Sequence, residues 1–498
     1  MKKIPSPARL FLIVFLFVVQ VWFFRGFTVD DAFITFRYVR QWTHGNGLVY
    51  NIAERVEGYS NFLWILLLTP FEFLGIELVL AAKGLGVLLS LLTLLIVWRF
   101  ARRFSVPDIA PLLLAASGPF AAWSVGGLET PLFTFLLVAS GYTLVREEDA
   151  GTGWLSGILF GLLALVRPEG LLFALVAVTF RAWRLFQSGD RPRCQDWLRV
   201  VALIGLVVPY FLWRLTYYGY PLPNTVYAKS LRLHPRALLE GVFYLYRSFV
   251  AAGGFFFVTL PLVFALARSE HPFFVDYMTA SVVAYAIFIV LGGGDWMPMQ
   301  RFMVHVFPFL CLLVHEGFIR LNETWQTRWS SLLLVLLVGG QTGFSLAASL
   351  EQRFVEGIGN SPLVPDGGAR VAYLCRYVRP GDTIAVIDAG IIAYRLPLET
   401  RVVDMVGLTD VHIAHQPVRL LGGLFGHGDA FGKWDVDYVL AQKPRFVQVN
   451  ILGKTVEGEW LTNFTGTTLL INDRRFRRAY RLVTEPGVSG VFVRKEIQ

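Results

Sequence analysis

Long apolar segments separated by short polar ones are the feature that most restricts how this 498-residue chain can fold. A helix of about 20 apolar residues spans the hydrocarbon layer of a bilayer. Hydrophobic residues make up 55% of the chain and charged residues only 16%, whereas a soluble domain has roughly 25% charged residues. This composition excludes a soluble cytosolic enzyme, a disordered chain and a coiled coil.

About eleven segments are predicted to cross a membrane, at 9–24, 79–100, 109–123, 130–146, 153–166, 169–186, 197–217, 251–268, 275–292, 302–319 and 330–349. The apolar stretch 61–76 is predicted to lie flat in the interface instead. Only that assignment keeps Arg102 and Arg103 on the same, cytoplasmic side as Lys2 and Lys3, as positively charged loops require.

The net charge of +9 does not indicate a nucleic-acid partner. The basic residues cluster at the ends of apolar runs, as between Arg181 and Arg193, and not on one amphipathic face. Such a placement sets membrane orientation and anchors helix ends at the lipid headgroups. We therefore expect membrane lipid, and no nucleic acid, as a partner.

The composition changes near residue 352, and this change predicts two domains. The segments DTIAVIDAG, RVVDMVG, PRFVQVN and GVFVRK are typical of short strands bounded by Gly, Pro and Asp, and Gly390–Tyr394 is predicted to begin a crossover helix. We expect a transmembrane domain at 1–350, with an external loop at 25–78, and an α/β domain at 351–498. With eleven spans, that second domain is extracytoplasmic.

The same map places the polar residues outside apolar spans and on one face of the membrane. A transporter would instead place charge near the middle of its spans. The pattern favours an enzyme that works at the outer membrane–water boundary. The polar residues on this face are Asp30, Asp31, Glu54, Glu57, Glu129, Arg167, Glu169, Asn224, Lys229, Asp295 and Arg301.

The first external loop begins with two adjacent aspartates. From Asp31 to Trp42 the spacing predicts an amphipathic helix with Arg37 on its polar face and Thr28 as its cap. The helix dipole would keep Asp30 and Asp31 ionised, so that one of them accepts a proton from a substrate hydroxyl. The alternative is that both aspartates only cap the helix.

Six runs of residues resemble one known family. The run DDAFITFRYVRQWTHGNGLVYNIAERVEGYSNFLW, at 30–64, is similar to the first external loop of bacterial GT-C glycosyltransferases. These include the terminal arabinofuranosyltransferases of actinobacterial cell walls and relatives labelled flagellar-motor-control proteins. The other runs are GLETPLF at 127–133, LVRPEGLLF at 165–173, LPNTVYAK at 222–229, GGDWMPMQRF at 293–302 and VVDMVGLTD at 402–410.

The resemblance implies a GT-C-like α-helical multispanning protein of the bacterial plasma (inner) membrane. It also implies a polyprenyl-phosphate sugar as donor, a cell-envelope glycan or glycolipid as acceptor, and an acidic residue of the first loop as base. Asp30 is the best match for that base. Asp31 is then a supporting, acceptor-binding or metal-binding group, although the choice between the two remains open.

The remaining candidates each have a substrate-binding and a structural interpretation. Glu54 and Glu57 either bind sugar hydroxyls, or hold a divalent cation together with the aspartates, or form a solvated turn. No cofactor is certain, and the metal site is unknown. Lys229 is a phosphate-binding candidate beside Asn224, in a loop whose tyrosines are typical of a membrane-interface belt.

Two further motifs carry arginine, whose planar guanidinium suits phosphate oxygens. Arg167 and Glu169 flank a proline, which indicates a bend between helices with Arg167 at the interface, or else a phosphate contact. Asp295 and Arg301 form either a structural pair or part of a site for the leaving phosphate. Two other functions stay open: a lipid or solute transporter, and a non-catalytic membrane assembly factor.

Overall fold

A computed structural model describes residues 6–102, 108–229, 235–251, 272–325, 368–419 and 432–495, together with scattered positions between 332 and 350. The predicted span at 251–268 lies outside the described residues except for its first position, and the span at 330–349 is described only at scattered positions. The same holds for Lys2, Lys3 and Arg103, three of the basic residues on which the predicted orientation depends.

The N-terminal two thirds of the chain is helical. Its helices are α1 (Ser6–Phe24), α2 (Asp30–Thr43), α3 (Phe62–Phe73), α4 (Leu78–Ala101), α5 (Ile109–Ala115), α6 (Gly118–Ser124), α7 (Thr130–Ala150), α8 (Leu155–Val166), α9 (Gly170–Ser188), α10 (Cys194–Tyr218), α11 (Asn224–Lys229), α12 (Pro235–Ala251), α13 (Pro272–Leu291) and α14 (Arg301–Trp325).

Within the described part of the chain, six helices are long and apolar enough to cross a membrane. They correspond to six of the predicted spans, and they make the chain a multi-pass membrane protein. The total of eleven spans stays a prediction. The six segments are Pro7–Phe24, Leu78–Ala101, Gly170–Ser188, Cys194–Tyr218, Phe273–Leu291 and Arg301–Arg320.

The prediction of one continuous helix at 109–123 is wrong. The segment forms two helices of seven residues each, α5 and α6. Ser117 caps the second helix, because its side chain accepts a hydrogen bond from the backbone N–H of Phe120 at 3.3 Å. Pro119 follows in the first turn, a position that suits a helix start and cannot continue the preceding helix.

The chain folds into two compact units, each built from separate stretches of sequence. The first comprises Met1–Phe27, Ala82–Phe211 and Ala237–Ser361, and the second comprises Thr28–Ala81, Leu212–Arg236 and Pro362–Gln498. The second unit therefore combines the first predicted loop with the C-terminal strands. The division of the chain into domains at residue 350 stays a prediction.

Helices of the first unit approach one another closely at glycines. A Cβ atom added at Gly86 of α4 would lie 2.2 Å from the carbonyl oxygen of Ser124, at the end of α6. A Cβ at Gly157 of α8 would lie equally close to the carbonyl oxygen of Arg199 on α10. Small residues at helix contacts are typical of membrane proteins, where close packing replaces the hydrophobic effect between helices.

The C-terminal part of the second unit is an α/β structure. Its helices are α15 (Gly368–Tyr377), α16 (Ile391–Arg395), α17 (Val411–Ala414), α18 (Val436–Ala441), α19 (Thr465–Asn472) and α20 (Arg474–Ala479). Its strands are β1 (Thr383–Val386), β2 (Arg401–Asp404), β3 (Phe446–Gln448), β4 (Ile451–Lys454), β5 (Trp460–Thr462), β6 (Tyr480–Leu482) and β7 (Val491–Arg494). The four predicted strands and the helix after Gly390 are confirmed.

Five strands form one mixed sheet in the order β2-β1-β3-β7-β6, and β4 and β5 form a separate hairpin. The central strand β1 pairs in parallel with both β2 and β3. The chain leaves β1 through α16 to reach β2, and it then returns to the other side of β1 to form β3. The carboxyl ends of β1 and β3 therefore meet where the strand order reverses, a place where α/β folds commonly bind ligands.

Candidate functional site

Asp30 and Asp31 are the first two residues of α2. The expected cap, Thr28, is wrong by one position: Val29 precedes the helix and contributes no side-chain hydrogen bond. The two aspartates therefore do not act as the cap residue itself. They occupy the first turn, where carboxylates interact favourably with the helix dipole.

The carboxylate of Asp30 is held by the backbone of the loop that follows β1. Its two oxygens accept hydrogen bonds from the N–H groups of Gly390 and Ile391, each at 2.8 Å. A Cβ atom at Gly390 would lie only 1.9 Å from the backbone carbonyl oxygen of Asp30. Only glycine permits this close approach of the two backbones. It allows α2 and the loop after β1, about 360 residues apart in the sequence, to form one site.

Burial raises the pKa of Asp30 from 3.8 to about 7, with further increases from the negative charges of Asp388 and Asp31. The N–H groups of Ile391 and Gly390 act in the opposite direction. The helix N-terminus does not hold the pKa of Asp30 at its ordinary value, because desolvation outweighs the favourable dipoles. A carboxyl group with a pKa near neutrality is suited to accept a proton from a substrate.

Asp31 differs from its neighbour in its surroundings. It is half-buried, and its carboxylate has no hydrogen bond or ion pair among the residues that the structure describes. Its charge nevertheless contributes to the raised pKa of Asp30. The two adjacent carboxylates thus have separate environments, one engaged by two backbone donors and one without such donors.

Arg37 is a residue whose role the sequence did not reveal. It is fully buried, although helical spacing predicts it on a polar face of α2. Its guanidinium donates to the carbonyl oxygens of Tyr50 at 2.9 Å, Thr400 at 2.8 Å and Ala393. The bonds to Ala393 and Thr400 join α2 to α16 and to the residue before β2. The polar face of the helix is therefore buried against protein and not exposed to water.

Glu54 and Glu57 lie in two different ion pairs. Glu54 contacts the Nε atom of Arg401 at 2.6 Å and is partly exposed, whereas Glu57 is buried with Arg214 at 3.5 Å. A solvated turn is therefore wrong for Glu57. Within the described residues, no group of three or more His, Cys, Asp and Glu side chains could hold a metal ion. Glu54 and Glu57, each paired with a different arginine, do not form the divalent-cation site that the sequence analysis considers together with Asp30 and Asp31.

Asn224 and Lys229 lie at opposite ends of α11. The side-chain amide of Asn224 is buried and donates to the carbonyl oxygens of Gly407 and Leu408 at 2.9 and 3.0 Å. Its backbone N–H donates to the carbonyl oxygen of Glu57 at 2.9 Å. Asn224 therefore joins the first loop to the VGLTD segment. Lys229 is half-buried.

Arg167 directly follows α8 and is buried, together with two carboxylates of the first unit. It contacts Glu129 at 2.6 Å and Glu169 at 2.6 Å. The predicted bend between helices is present, since α9 begins at Gly170. The side chain of Arg167 does not extend into solvent, because its charge is enclosed and balanced by two acids. Its position at the membrane interface stays a prediction.

Arg301 begins α14 and forms an ion pair with Asp295 at 2.7 Å through its Nε atom. Its two terminal nitrogens have no hydrogen-bond partner among the residues that the structure describes. The guanidinium groups of Arg301 and Arg167 both lie over the ring of Phe302, at 5.1 and 5.5 Å from its centroid. Two arginines thus flank one aromatic ring.

The backbone just before Arg301 is strained. Met299 and Gln300 have φ angles of 59° and 41°, a region that residues with side chains seldom adopt. The indole N–H of Trp123 donates to the carbonyl oxygen of Met299 at 3.1 Å and supports this turn. Strain of this kind is common at ligand-binding sites, and the sequence GGDWMPMQRF does not reveal it.

The candidate residues divide between the two compact units. Asp30, Asp31, Glu54, Glu57, Asn224 and Lys229 belong to the second unit, and Arg167, Glu169, Asp295 and Arg301 belong to the first. Their assignment to a substrate site stays a prediction. The structure does bring together Asp30 and the loop after β1, and separately Arg167 and Arg301.

A family model described as a domain of unknown function (DUF8728) matches residues 364–494. This range contains the whole five-stranded sheet and the β4–β5 hairpin. This description names no activity. The match therefore delimits the α/β region as a family domain and does not indicate its chemistry.

Two curated relatives bear the same name. The chain is 27% identical over 410 residues to the terminal beta-(1->2)-arabinofuranosyltransferase of Mycobacterium tuberculosis, which covers 70% of this chain and 61% of the relative. It is 28% identical over 251 residues to the protein of that name from Corynebacterium glutamicum, covering 41% and 33%. The chain thus spans less than two thirds of the length of either relative.

Two solved structures share the fold. ArnT from Cupriavidus metallidurans bound to undecaprenyl phosphate aligns with a TM-score of 0.56 and 15% identity, over 80% of this chain and 86% of ArnT. The apo form of the same protein gives a TM-score of 0.55 and 13% identity, over 82% and 92%. The predicted fold class is confirmed, and so is the resemblance: this chain has a GT-C-type membrane fold similar to that of ArnT, and its sequence resembles the terminal arabinofuranosyltransferases.

Proposed function

We propose that this protein is a membrane glycosyltransferase of the GT-C type. It transfers a sugar from a polyprenyl-phosphate donor to a cell-envelope glycan or glycolipid at the outer face of the membrane. The observation that carries this proposal is the Asp30 carboxylate, which is fixed by two backbone N–H groups and has a pKa raised to about 7. A proton acceptor of this kind is what glycosyl transfer to a hydroxyl requires.

The reaction is a single displacement at the anomeric carbon of the donor sugar. Asp30 removes the proton from an acceptor hydroxyl, whose oxygen forms a bond to the anomeric carbon. The bond between that carbon and the phosphate oxygen breaks, and the polyprenyl phosphate leaves with the electron pair. Asp30 then releases its proton to solvent, which its pKa of about 7 permits near neutral pH.

Arg301 is the proposed contact for the departing phosphate. It is almost fully buried, its Nε atom is fixed by Asp295, and its terminal nitrogens have no hydrogen-bond partner among the described residues. A preorganised guanidinium stabilises charge that develops on a leaving oxygen. Arg167 suits this task less, since two carboxylates already balance its charge.

The names of the relatives indicate which sugar to test first. Both are terminal beta-(1->2)-arabinofuranosyltransferases, and the ArnT structure contains undecaprenyl phosphate. We therefore propose arabinofuranose on a polyprenyl phosphate as the first donor and an arabinofuranosyl oligosaccharide as the first acceptor. The six long apolar helices of the described residues place the protein in the bilayer, and the lipid tail of such a donor dissolves in the same hydrocarbon layer.

The test is transfer of radiolabelled sugar from the polyprenyl-phosphate donor by the purified full-length protein. The isosteric change Asp30→Asn should lower the rate by about 10²-fold or more, because an amide accepts no proton. Asp437→Asn is the matched control, since this aspartate is largely exposed and pairs with Arg475. Its rate should equal that of the unchanged protein.

Asp30→Asn must keep a cooperative unfolding transition and the circular dichroism spectrum of the unchanged protein, so that misfolding is excluded as the cause of the lost rate. Full activity of this variant would remove Asp30 as the base. Movement of the lipid-linked sugar across a vesicle membrane without any covalent transfer would favour the transporter alternative instead.

A further inference from the structure

A polar cluster lies at the carboxyl ends of β1 and β3, where the strand order of the sheet reverses. Asp388 follows β1, Gln448 ends β3, and Asn450 lies two residues further on. Arg370, on α15, completes the cluster. In open α/β sheets, this edge is where ligands bind, because the loops after neighbouring strands diverge and leave a crevice.

The side chains of the cluster form one connected network. The Asp388 carboxylate accepts from Gln448 at 2.8 Å and from Arg370 at 3.1 Å, and Arg370 also donates to the amide oxygen of Asn450 at 2.8 Å. Gln448 is buried, and its amide oxygen accepts from the backbone N–H groups of Ile387 and Asp388. Gln448 therefore fixes the loop on which Asp388 lies.

The network nevertheless reaches the surface of the unit. About a quarter of each side chain is exposed, 25% for Asp388 and 22% for Arg370, and Asn450 is half-buried. Carboxylate, amide and guanidinium groups together offer both hydrogen-bond acceptors and donors in fixed planes. Such a set pairs with the hydroxyl groups of a sugar, each of which both donates and accepts.

Asp30 lies beside this cluster within the second unit. The chain runs from Asp388 directly to Gly390 and Ile391, whose N–H groups hold the Asp30 carboxylate at 2.8 Å. The hydroxyl of Tyr50 donates to the carbonyl oxygen of the intervening Ala389. A sugar bound to Asp388 and Asn450 therefore has its neighbouring hydroxyl close to the proposed base.

The charges at this place favour an uncharged sugar over a phosphate. Asp30, Asp31 and Asp388 are acidic, and Arg370 already contacts Asp388. Three carboxylates surround a single guanidinium here, so a phosphate group would meet an excess of negative charge and be repelled. The donor, which carries a phosphate, is thus disfavoured, whereas an acceptor glycan brings only hydroxyls.

We propose that Asp388, Asn450 and Arg370 form a binding subsite for the acceptor glycan at the carboxyl edge of the C-terminal sheet, with Gln448 as a positioning residue. The proposal rests on the proposed function, since it names the acceptor side of that reaction. The subsite binds a sugar ring through its hydroxyls and presents the next hydroxyl to Asp30.

The experiment measures binding of a synthetic arabinofuranosyl oligosaccharide to the full-length protein by isothermal titration calorimetry. Asn450→Ala should weaken binding about tenfold, the usual effect of losing hydrogen bonds to a partly buried ligand. Asp388→Asn, which keeps the shape of the side chain, is the second variant and should also weaken binding. Gln442→Ala is the matched control, because this amide contacts Arg401 at the amino end of β2.

Steady-state kinetics supplies the second measurement. Asn450→Ala should raise the KM for the oligosaccharide and leave the KM for the polyprenyl-phosphate donor unchanged, which a general loss of structure would not do. Equal binding by the unchanged protein, Asn450→Ala and Asp388→Asn would overturn the subsite, as would absence of binding by the unchanged protein. Asn450-dependent binding in a protein that transfers no sugar would instead refute the transferase function and keep the glycan site.

Discussion

The Asp30 carboxyl binds its proton more tightly in the folded protein than in an unfolded chain, because its pKa rises from 3.8 to about 7. Between these values the native state holds more protons than the unfolded state, so this group lowers the free energy of unfolding as the pH rises. Asp30→Asn does not ionise and should flatten this decline. Thermal unfolding from about pH 4 to pH 8 measures the difference, and equal slopes in both proteins would contradict it.

Asp388 should affect the pH dependence of transfer through its charge. Its negative charge raises the pKa of Asp30, and a base is active only when it is deprotonated. Asp388→Asn should therefore move the rising limb of kcat/KM from about pH 7 towards lower pH. The measurement is a pH–rate profile with saturating donor, in which Asp437→Asn should leave the limb in place.

At the scale of single elements, the loop between β1 and α16 depends on a glycine. A Cβ at Gly390 would lie 1.9 Å from the backbone of Asp30, and backbone atoms yield less than a flexible side chain. Gly390→Ala should therefore separate α2 from this loop and abolish transfer. Gly84→Ala, in a helix with nothing within 4 Å of the added Cβ, is the control and should retain activity. An active Gly390→Ala protein would contradict the arrangement.

The junction of α8 and α9 depends on the buried charge of Arg167. Replacing it by Met leaves Glu129 and Glu169 buried without their cation, and breaking a buried pair in this way costs about 3–5 kcal/mol. Thermal unfolding in detergent should show a large loss of stability. Arg191→Ala, at an exposed position, should change the free energy of unfolding by no more than about 0.5 kcal/mol. Similar melting temperatures for both variants would contradict the role assigned to Arg167.

At the scale of the whole molecule, the first loop is completed by the C-terminal strands. Arg37, Tyr50 and Asn51 donate hydrogen bonds to carbonyl oxygens between Ala389 and Val402. A chain truncated after residue 350 should still insert into the membrane through its apolar helices. Its segment 44–58 should become sensitive to protease, and transfer should be lost.

Limited proteolysis of membranes that contain the truncated and the full-length protein measures this effect. Full-length Asp30→Asn serves as the control, since it lacks the proposed base but keeps Arg37, Tyr50 and Asn51. Equal protease resistance of the truncated chain would show that the first loop folds without the strands.

Much of the fold follows from the sequence because hydropathy and strand patterns are local. The six long apolar helices and the four strands of the α/β region correspond to predicted segments. The incorrect predictions of helix boundaries have local causes, namely capping residues and prolines, which a hydropathy pattern does not take into account. Ser117 and Pro119 divide the segment 109–123 into two helices, and Val29 instead of Thr28 precedes α2.

The candidate site was less predictable. Helical spacing predicts Arg37 on a polar face, but that face is buried against carbonyl oxygens of α16 and of the residue before β2. Asp388, Gln448, Asn450 and Arg370 lie in separate segments of the chain, and no local pattern indicates that they form one network. The glycine two residues after Asp388 was the one available hint, because a glycine after a strand permits close approach of another backbone.

By itself, the sequence determined that the chain is a multi-pass membrane protein, that α2 begins with two carboxylates, and that short strands follow residue 352. These features depend on residues near one another in the chain, through helix length and strand alternation. Only the tertiary structure decided that Gly390 and Ile391 hold Asp30, and that burial raises its pKa to about 7. The reason is physical: desolvation and charge coupling depend on distance in space, and residues 30 and 390 become neighbours only when the chain has folded.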